Sequence, residues 1–267
     1  MNIVVLVKPA LDTSNLRTAA NKIMIEDTPL KISDIDRNAA EEAIRIKEKT
    51  KSGKTIAVMI SKYPPTAKRA GEVENLGREV LAMGIDEAIV VVDDGLIGTD
   101  QTATAKTISE VLKRKIGQFD LIIGGEATID GYSSQVPARV AAELGIPVVT
   151  YVREITQLGN DNITVKRDLE DEVQVINTKL PAVITVTREI NTPRIPPLLQ
   201  IRMAMKKPLT KLSLTDLGLS IQSKIKTTSL KPLQIQRKKI IIESGTVEEK
   251  ADKLIQYLAQ EGILTPR

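Results

Sequence analysis

Five short runs rich in valine and isoleucine, at residues 3–7, 55–60, 88–93, 121–124 and 147–151, constrain this chain most. Their apolar residues are consecutive rather than alternating, which suits strands covered on both faces of a parallel sheet. Between them lie amphipathic stretches at 39–49, 66–83, 102–115 and 133–144. In the first, Ala40, Ala43, Ile44 and Ile46 share one face while Glu and Lys take the other. Gly84 and Gly145 stand where helices end. Alternating β and α segments with short links predict an α/β fold, a doubly wound, Rossmann-like parallel sheet.

That rhythm stops after residue 151. Runs at 152–156 and 163–167 flank Leu158-Gly159-Asn160-Asp161-Asn162, which predicts a β-hairpin addition. Two more strands are expected at 173–177 and 182–187. From 191 to 239 the chain is rich in Pro, Ser, Thr and Lys, with scattered Leu and Ile that keep no period. A polar stretch of this length is too long for an internal loop and reads as an extended arm, disordered or ordered against a partner. Leu217, Leu219, Ile221 and Ile225 alternate as a strand-like contact would. A final helix is predicted over 246–259, with Thr246 as its N-cap.

Composition removes whole classes of chemistry. The 267 residues include no Cys and no His, which excludes disulfides, thiolate ligands, imidazole bases and Ser-His-Asp machinery. With no Trp, one Phe and a net charge of only +4, the chain lacks a stacking platform or basic face for nucleic acid, and no nucleic-acid partner is expected. No apolar run reaches the ~18 residues of a membrane span. The N-terminus opens on a strand with no basic region or cleavage site ahead of it, so a cytoplasmic location is expected.

The stretch most suited to a ligand is 121–135. An apolar run ends in Gly124-Gly125, small and polar residues follow, and a helix is expected from about Ser133. The carboxyl end of a parallel strand is where α/β folds bind ligands, and glycines with free N–H groups at a helix start favour a phosphate. An ordinary glycine turn with a serine cap explains the same residues equally well, because neither dinucleotide nor P-loop spacing is present. Lys8-Pro9 would stand on the same rim, although a plain strand end accounts for it. Ser33, Asp34, Ile35 and Asp36 could meet a ribose or base edge, or could simply cap the helix that follows. The acidic run Asp168, Glu170, Asp171, Glu172 reads as a solvated turn with no other ligand type beside it.

At residues 165–176 the chain reads Val-Lys-Arg-Asp-Leu-Glu-Asp-Glu-Val-Gln-Val-Ile, followed by Pro181-Ala182-Val183-Ile184-Thr185. This resembles the signature of the electron transfer flavoprotein beta subunit: an aliphatic, basic residues, an acidic run, then Pro and aliphatics. Val5-Leu6-Val7-Lys8, residues 41–48, the loop after Gly124 and Asn191-Thr192-Pro193-Arg194 match as well, so the likeness runs through about residue 207. The resemblance implies a nucleotide-binding domain over 1–190, and over 191–267 a recognition loop and an arm wrapping an alpha subunit. It implies AMP in this chain, or a second FAD in electron-bifurcating members that take electrons from NADH, and the redox-active FAD in the alpha subunit.

Nucleotide contacts carried over by position are Leu6, Ser33, Asp34, Ile35, Asp36 and Ile60. They continue through the loop Gly125, Glu126, Ala127, Thr128, Ile129, Asp130, Gly131, Tyr132, Ser133, Ser134, Gln135 and Val136. Partner docking falls to Arg194 and to residues 195–205 with Leu198 as the anchor, serving dehydrogenases, with a membrane quinone oxidoreductase as an acceptor. Packing of that apolar strip on this chain or on the alpha subunit is the other reading. The chain departs from the family where Ser33-Asp34 replaces Asn-Pro, and where Pro137 replaces a frequent Gly. A stand-alone ATP-binding or hydrolysing protein is a further reading, but the Ser-Gly-Gly loop such proteins carry near the first strand is here Lys8-Pro9-Ala10-Leu11-Asp12.

Overall fold

The computed structural model describes residues 1–20, 22–63, 67–225, 227–232 and 238–264. The chain divides into two compact units, Met1–Lys231 and Pro232–Arg267. In the first unit, β1 (Ile3–Val7) leads into a short pair, β2 (Pro9–Leu11) and β5 (Leu30–Ile32), with a two-residue pair, β3 (Thr18–Ala19) and β4 (Lys22–Ile23), between them. Then follow α1 (Asp34–Thr50), β6 (Thr55–Ser61), α2 (Ala67–Met83), β7 (Glu87–Val92), α3 (Gln101–Val111), β8 (Leu121–Gly125) and α4 (Val136–Leu144). The antiparallel addition is β9 (Val148–Leu158), β10 (Asn162–Asp168) and β11 (Val173–Lys179), and the chain returns through β12 (Ala182–Val186), α5 (Leu198–Ala204) and β13 (Leu209–Leu212).

Nine of these strands form one sheet in the order β11-β10-β9-β12-β8-β1-β6-β7-β13. Pairing is parallel from β9 through β13 and antiparallel within β9-β10-β11. The expected doubly wound sheet and hairpin addition are thus both present. Residues of β1 show why its apolar run had to be continuous. Ile3, Val5 and Val7 pack with Ala39, Ala43 and Ile44 of α1, while Val4 and Leu6 pack on the opposite layer with Ile108 of α3 and Val140 of α4. Both faces are buried, so a polar residue on either would cost free energy.

Two stretches differ from expectation. Residues 147–151 and 152–156 are one long strand, β9, in which Tyr151 takes a left-handed φ of 59° and the pairing register with β12 shifts. Thr66, expected to start α2, lies outside the described residues. Residues after 191 do not all leave the domain: β13 pairs in parallel with β7, and Arg78 donates to the carbonyls of Ala204 (3.0 Å) and Lys207 (2.8 Å) at the end of α5. Leu217 is fully buried in this chain's own core, and Leu219 and Ile221 pack on that core, leaving Ile225 exposed. Apolar spacing shows that such residues want a surface to cover, but does not say whose surface it is.

The second unit contains α6 (Val247–Gln260), one residue displaced from the predicted span. Thr246 caps it in a reciprocal capping box: its hydroxyl accepts from Glu249 N, and the Glu249 carboxylate accepts from Thr246 N at 3.0 Å. Val247, Leu254 and Ile255 on this helix are exposed.

Candidate functional site

Strand β1 lies between β8 and β6, which the chain reaches by crossovers in opposite directions. Helices diverge from such a switch point, leaving a crevice beyond the carboxyl ends of the strands. Here that crevice encloses about 770 Å³ including its mouth. Leu6, Val58, Ile60 and Ile108 give it an apolar floor, and Lys8, Lys62, Gln101 and Thr104 stand on its rim with the loop that follows Gly124.

The two glycines are there for space. A Cβ on Gly125 would lie 2.5 Å from Asp36 Oδ1, and one on Gly124 would lie 3.1 Å from the Pro137 ring. The polypeptide then turns sharply, and both Tyr132 (φ 44°) and Ser134 (φ 53°) adopt left-handed backbone conformations that side chains disfavour. Helix α4 begins only at Val136, three residues later than expected, with Gln135 at the cap position making no side-chain cap bond. Ser133 is therefore not a cap. Ser133, Ser134 and Gln135 line the crevice, leading directly into the first turn of α4.

Asp36 joins three elements. Placed in the first turn of α1, it accepts from Lys8 N at 2.8 Å and from Gly125 N at 3.3 Å. Burial pushes its carboxyl up to about 7, against the opposing pull of the Lys8 N–H. Asp130 does a different job, accepting from Lys8 Nζ (2.7 Å), Leu11 N (3.2 Å) and Tyr63 Oη (3.0 Å). Burial acts to raise its carboxyl, but the Lys8 ammonium prevails and holds it below the usual range. Lys62 is drawn down by burial first and then by the charge of Lys8.

Of the residues expected to contact a nucleotide, Leu6, Asp36, Ile60, Gly125, Glu126, Ala127, Thr128, Gly131, Ser133, Ser134, Gln135 and Val136 line the crevice. Ser33, Asp34, Ile35, Ile129, Asp130 and Tyr132 are not on its lining. Ser33 stands at the N-cap of α1 without a side-chain cap bond, Asp34 pairs with Lys31 at 3.2 Å, and Ile35 packs behind Gly125. Tyr132 is exposed, and Asp130 braces the loop from behind through Lys8. Sequence reasoning missed Lys62, Gln101, Thr104 and Ile108. Lys62 carried a usable signal, since it follows β6 just as Lys8 follows β1.

The segment expected to dock partners is held at its base. Arg194 donates to Glu41 (2.8 Å) and Glu48 (2.7 Å), while Asn191 and Asn38 exchange side-chain to backbone bonds at 2.7 and 3.0 Å. Arg194 is thus engaged with α1. Beyond it, Ile195, Leu198 and Leu199 are 92%, 81% and 67% exposed, an unusual cost for three large aliphatic side chains close in sequence. A second, shallower cavity is lined by Glu126, Tyr151, Asp168–Glu172, Thr187 and Glu189. Burial raises the Glu126 carboxyl there, and the charge of Glu189 adds to the effect.

Comparison with known proteins bears directly on these features. The family model described as the electron transfer flavoprotein domain matches residues 21–217. An electron transfer flavoprotein subunit beta of Thermoanaerobacterium thermosaccharolyticum is 38% identical over 81% of this chain and 79% of its own length. The subunit of the same name in Bacillus subtilis is 35% identical over 98% of both chains, and that of Clostridium acetobutylicum is 36% identical over 73% of this chain and 71% of its own. No described helix is long and apolar enough to cross a membrane. By the family model over residues 21–217 and the identity to these subunits over most of its length, the chain belongs to the electron transfer flavoprotein family, on the side of the beta subunits.

Proposed function

We propose that this chain is the beta half of a heterodimeric electron transfer flavoprotein and holds AMP in the switch-point crevice as a structural ligand. A larger alpha subunit carries the FAD through which electrons pass from dehydrogenases to a quinone reductase or another acceptor. One observation supports this reading above the others. The crevice combines an apolar floor, a glycine pair that leaves no room for side chains, and two lysines beside a loop leading into a helix start. That donor set suits a flat base at one end and a phosphate at the other. With no His or Cys, the chain itself supplies no imidazole base or thiolate, and electron carriage asks for none. Its part is to bind and to orient. The exposed aliphatics around Leu198 offer an apolar docking surface to dehydrogenases, and Arg194 fixes the base of that segment to α1.

The co-expressed heterodimer, denatured and chromatographed, should release one AMP for each FAD. Two FAD and no AMP would instead support a bifurcating complex with a second flavin in this chain. Absence of any adenine nucleotide beyond the FAD of the alpha subunit would overturn both.

A further inference from the structure

The two lysines on the crevice are not equivalent. Lys8 is already neutralised: its ammonium lies 2.7 Å from Asp130 and 3.3 Å from Thr128 Oγ1, and it ties the loop to the end of β1. Lys62, at the end of β6, lines the same crevice, yet among the described residues no carboxylate comes within ion-pair distance of it. The acids whose charge reaches it are Asp100 and Asp130, and both are committed elsewhere. Asp100 accepts from Ala103 N (2.8 Å) and Lys224 N (2.7 Å), while Asp130 serves Lys8, Leu11 and Tyr63. Glu126, also on the lining, is acted on by Glu189 and Arg188. A half-buried ammonium that shares its crevice with a second lysine and has no anion in contact is costly unless a ligand brings the missing charge.

We infer that Lys62 is the charge-selecting residue of the crevice, binding the phosphate of the nucleotide and so distinguishing a nucleotide from its nucleoside. This rests on the reading that the crevice holds an adenine nucleotide, and it adds which side chain supplies the countercharge. Lys8 then acts as a positioning residue, because its charge is spent on Asp130. The backbone N–H groups of the loop treat any phosphate oxygen alike, whereas Lys62 responds to net charge and to salt.

The test uses the heterodimer, stripped of nucleotide, titrated calorimetrically with AMP and with adenosine at low and raised salt. Lys62→Met should weaken AMP about tenfold or more, as loss of a charge-assisted contact implies, and leave adenosine within about twofold. Lys62→Arg should restore most of the AMP affinity. The salt dependence of AMP binding should be shallower in Lys62→Met than in the wild type. Equal AMP affinity in wild type and Lys62→Met overturns the inference alone, and so does a parallel loss of AMP and adenosine. A wild-type heterodimer that binds neither ligand overturns the nucleotide reading and this inference together.

Discussion

Replacing Asp36 by Asn separates charge from shape at the centre of the crevice. In the folded chain its carboxyl titrates near 7, against 3.8 for the free side chain, because burial disfavours the charged form more than the Lys8 and Gly125 N–H groups favour it. The folded state therefore binds more protons at this site than the unfolded state between those values, and stability contributed by Asp36 falls as pH rises through that window. From pH 5 to pH 8 the folded group covers about two pKa units before it is charged. At 1.36 kcal/mol per unit this amounts to a loss of about 3 kcal/mol. Asn has one acceptor oxygen, so it keeps the 2.8 Å bond from Lys8 N and gives up the longer one from Gly125 N, a cost of about 1–3 kcal/mol that does not vary with pH. The variant should be the less stable protein at pH 5 and gain on the wild type by about 3 kcal/mol by pH 8. Urea denaturation of both proteins in matched buffers measures this. Parallel stability curves across that range would refute the buried, late-titrating carboxyl, and a wild type that gains on the variant with rising pH would reverse its sign.

Three further substitutions test separate parts of the structure. Gly125→Ala places a methyl 2.5 Å from Asp36 Oδ1, so it should cost about 1–3 kcal/mol of stability and lower the adenine nucleotide that co-purifies; full nucleotide content would mean the crevice is not where it binds. Leu217→Ala empties a fully buried position and should destabilise the chain by about 2–5 kcal/mol in chemical denaturation, whereas a neutral result would return this residue to the role of a partner contact. Leu198→Ala removes an exposed side chain and should change stability by no more than about 0.5 kcal/mol while raising the KM of a dehydrogenase assayed with the heterodimer. An unchanged KM would remove Leu198 from the docking surface.

The doubly wound sheet was legible because its cause is local. A strand buried on both faces is apolar along most of its length, and β1, β6, β7 and β8 each announce themselves by such a run within a residue or two. Helix α6 was legible for a similar reason, since a capping box lies within four consecutive residues. Strand β13 was not. Its residues Leu209–Leu212 are Leu-Thr-Lys-Leu, a short edge strand with only its two leucines partly covered, and such a segment has no run of its own to betray it. What makes it a strand is β7, more than a hundred residues earlier in the chain.

The crevice divides along the same line. Gly124-Gly125 and the residues after them could be found because backbone requirements leave a mark on the residue types at each position. Asp36 was visible only as a helix-start acid, and on that evidence capping was favoured over ligand contact. The structure shows a third use, in which its carboxylate bridges the ends of β1 and β8 and lies on the crevice wall. Lys62, Gln101 and Thr104 enter from β6 and α3, and no pattern along the chain brings them to Lys8; only the order of strands does. Helix α1 also carries Glu41 on its second turn, where it grips Arg194 at the base of the exposed aliphatic segment. One 17-residue helix thus sets both the wall of the crevice and the anchor of the docking segment. Because a helix is rigid over so few turns, a change at either end that moved its axis would be felt at both places, and Asp36→Asn should therefore be compared with the wild type for docking as well as for stability.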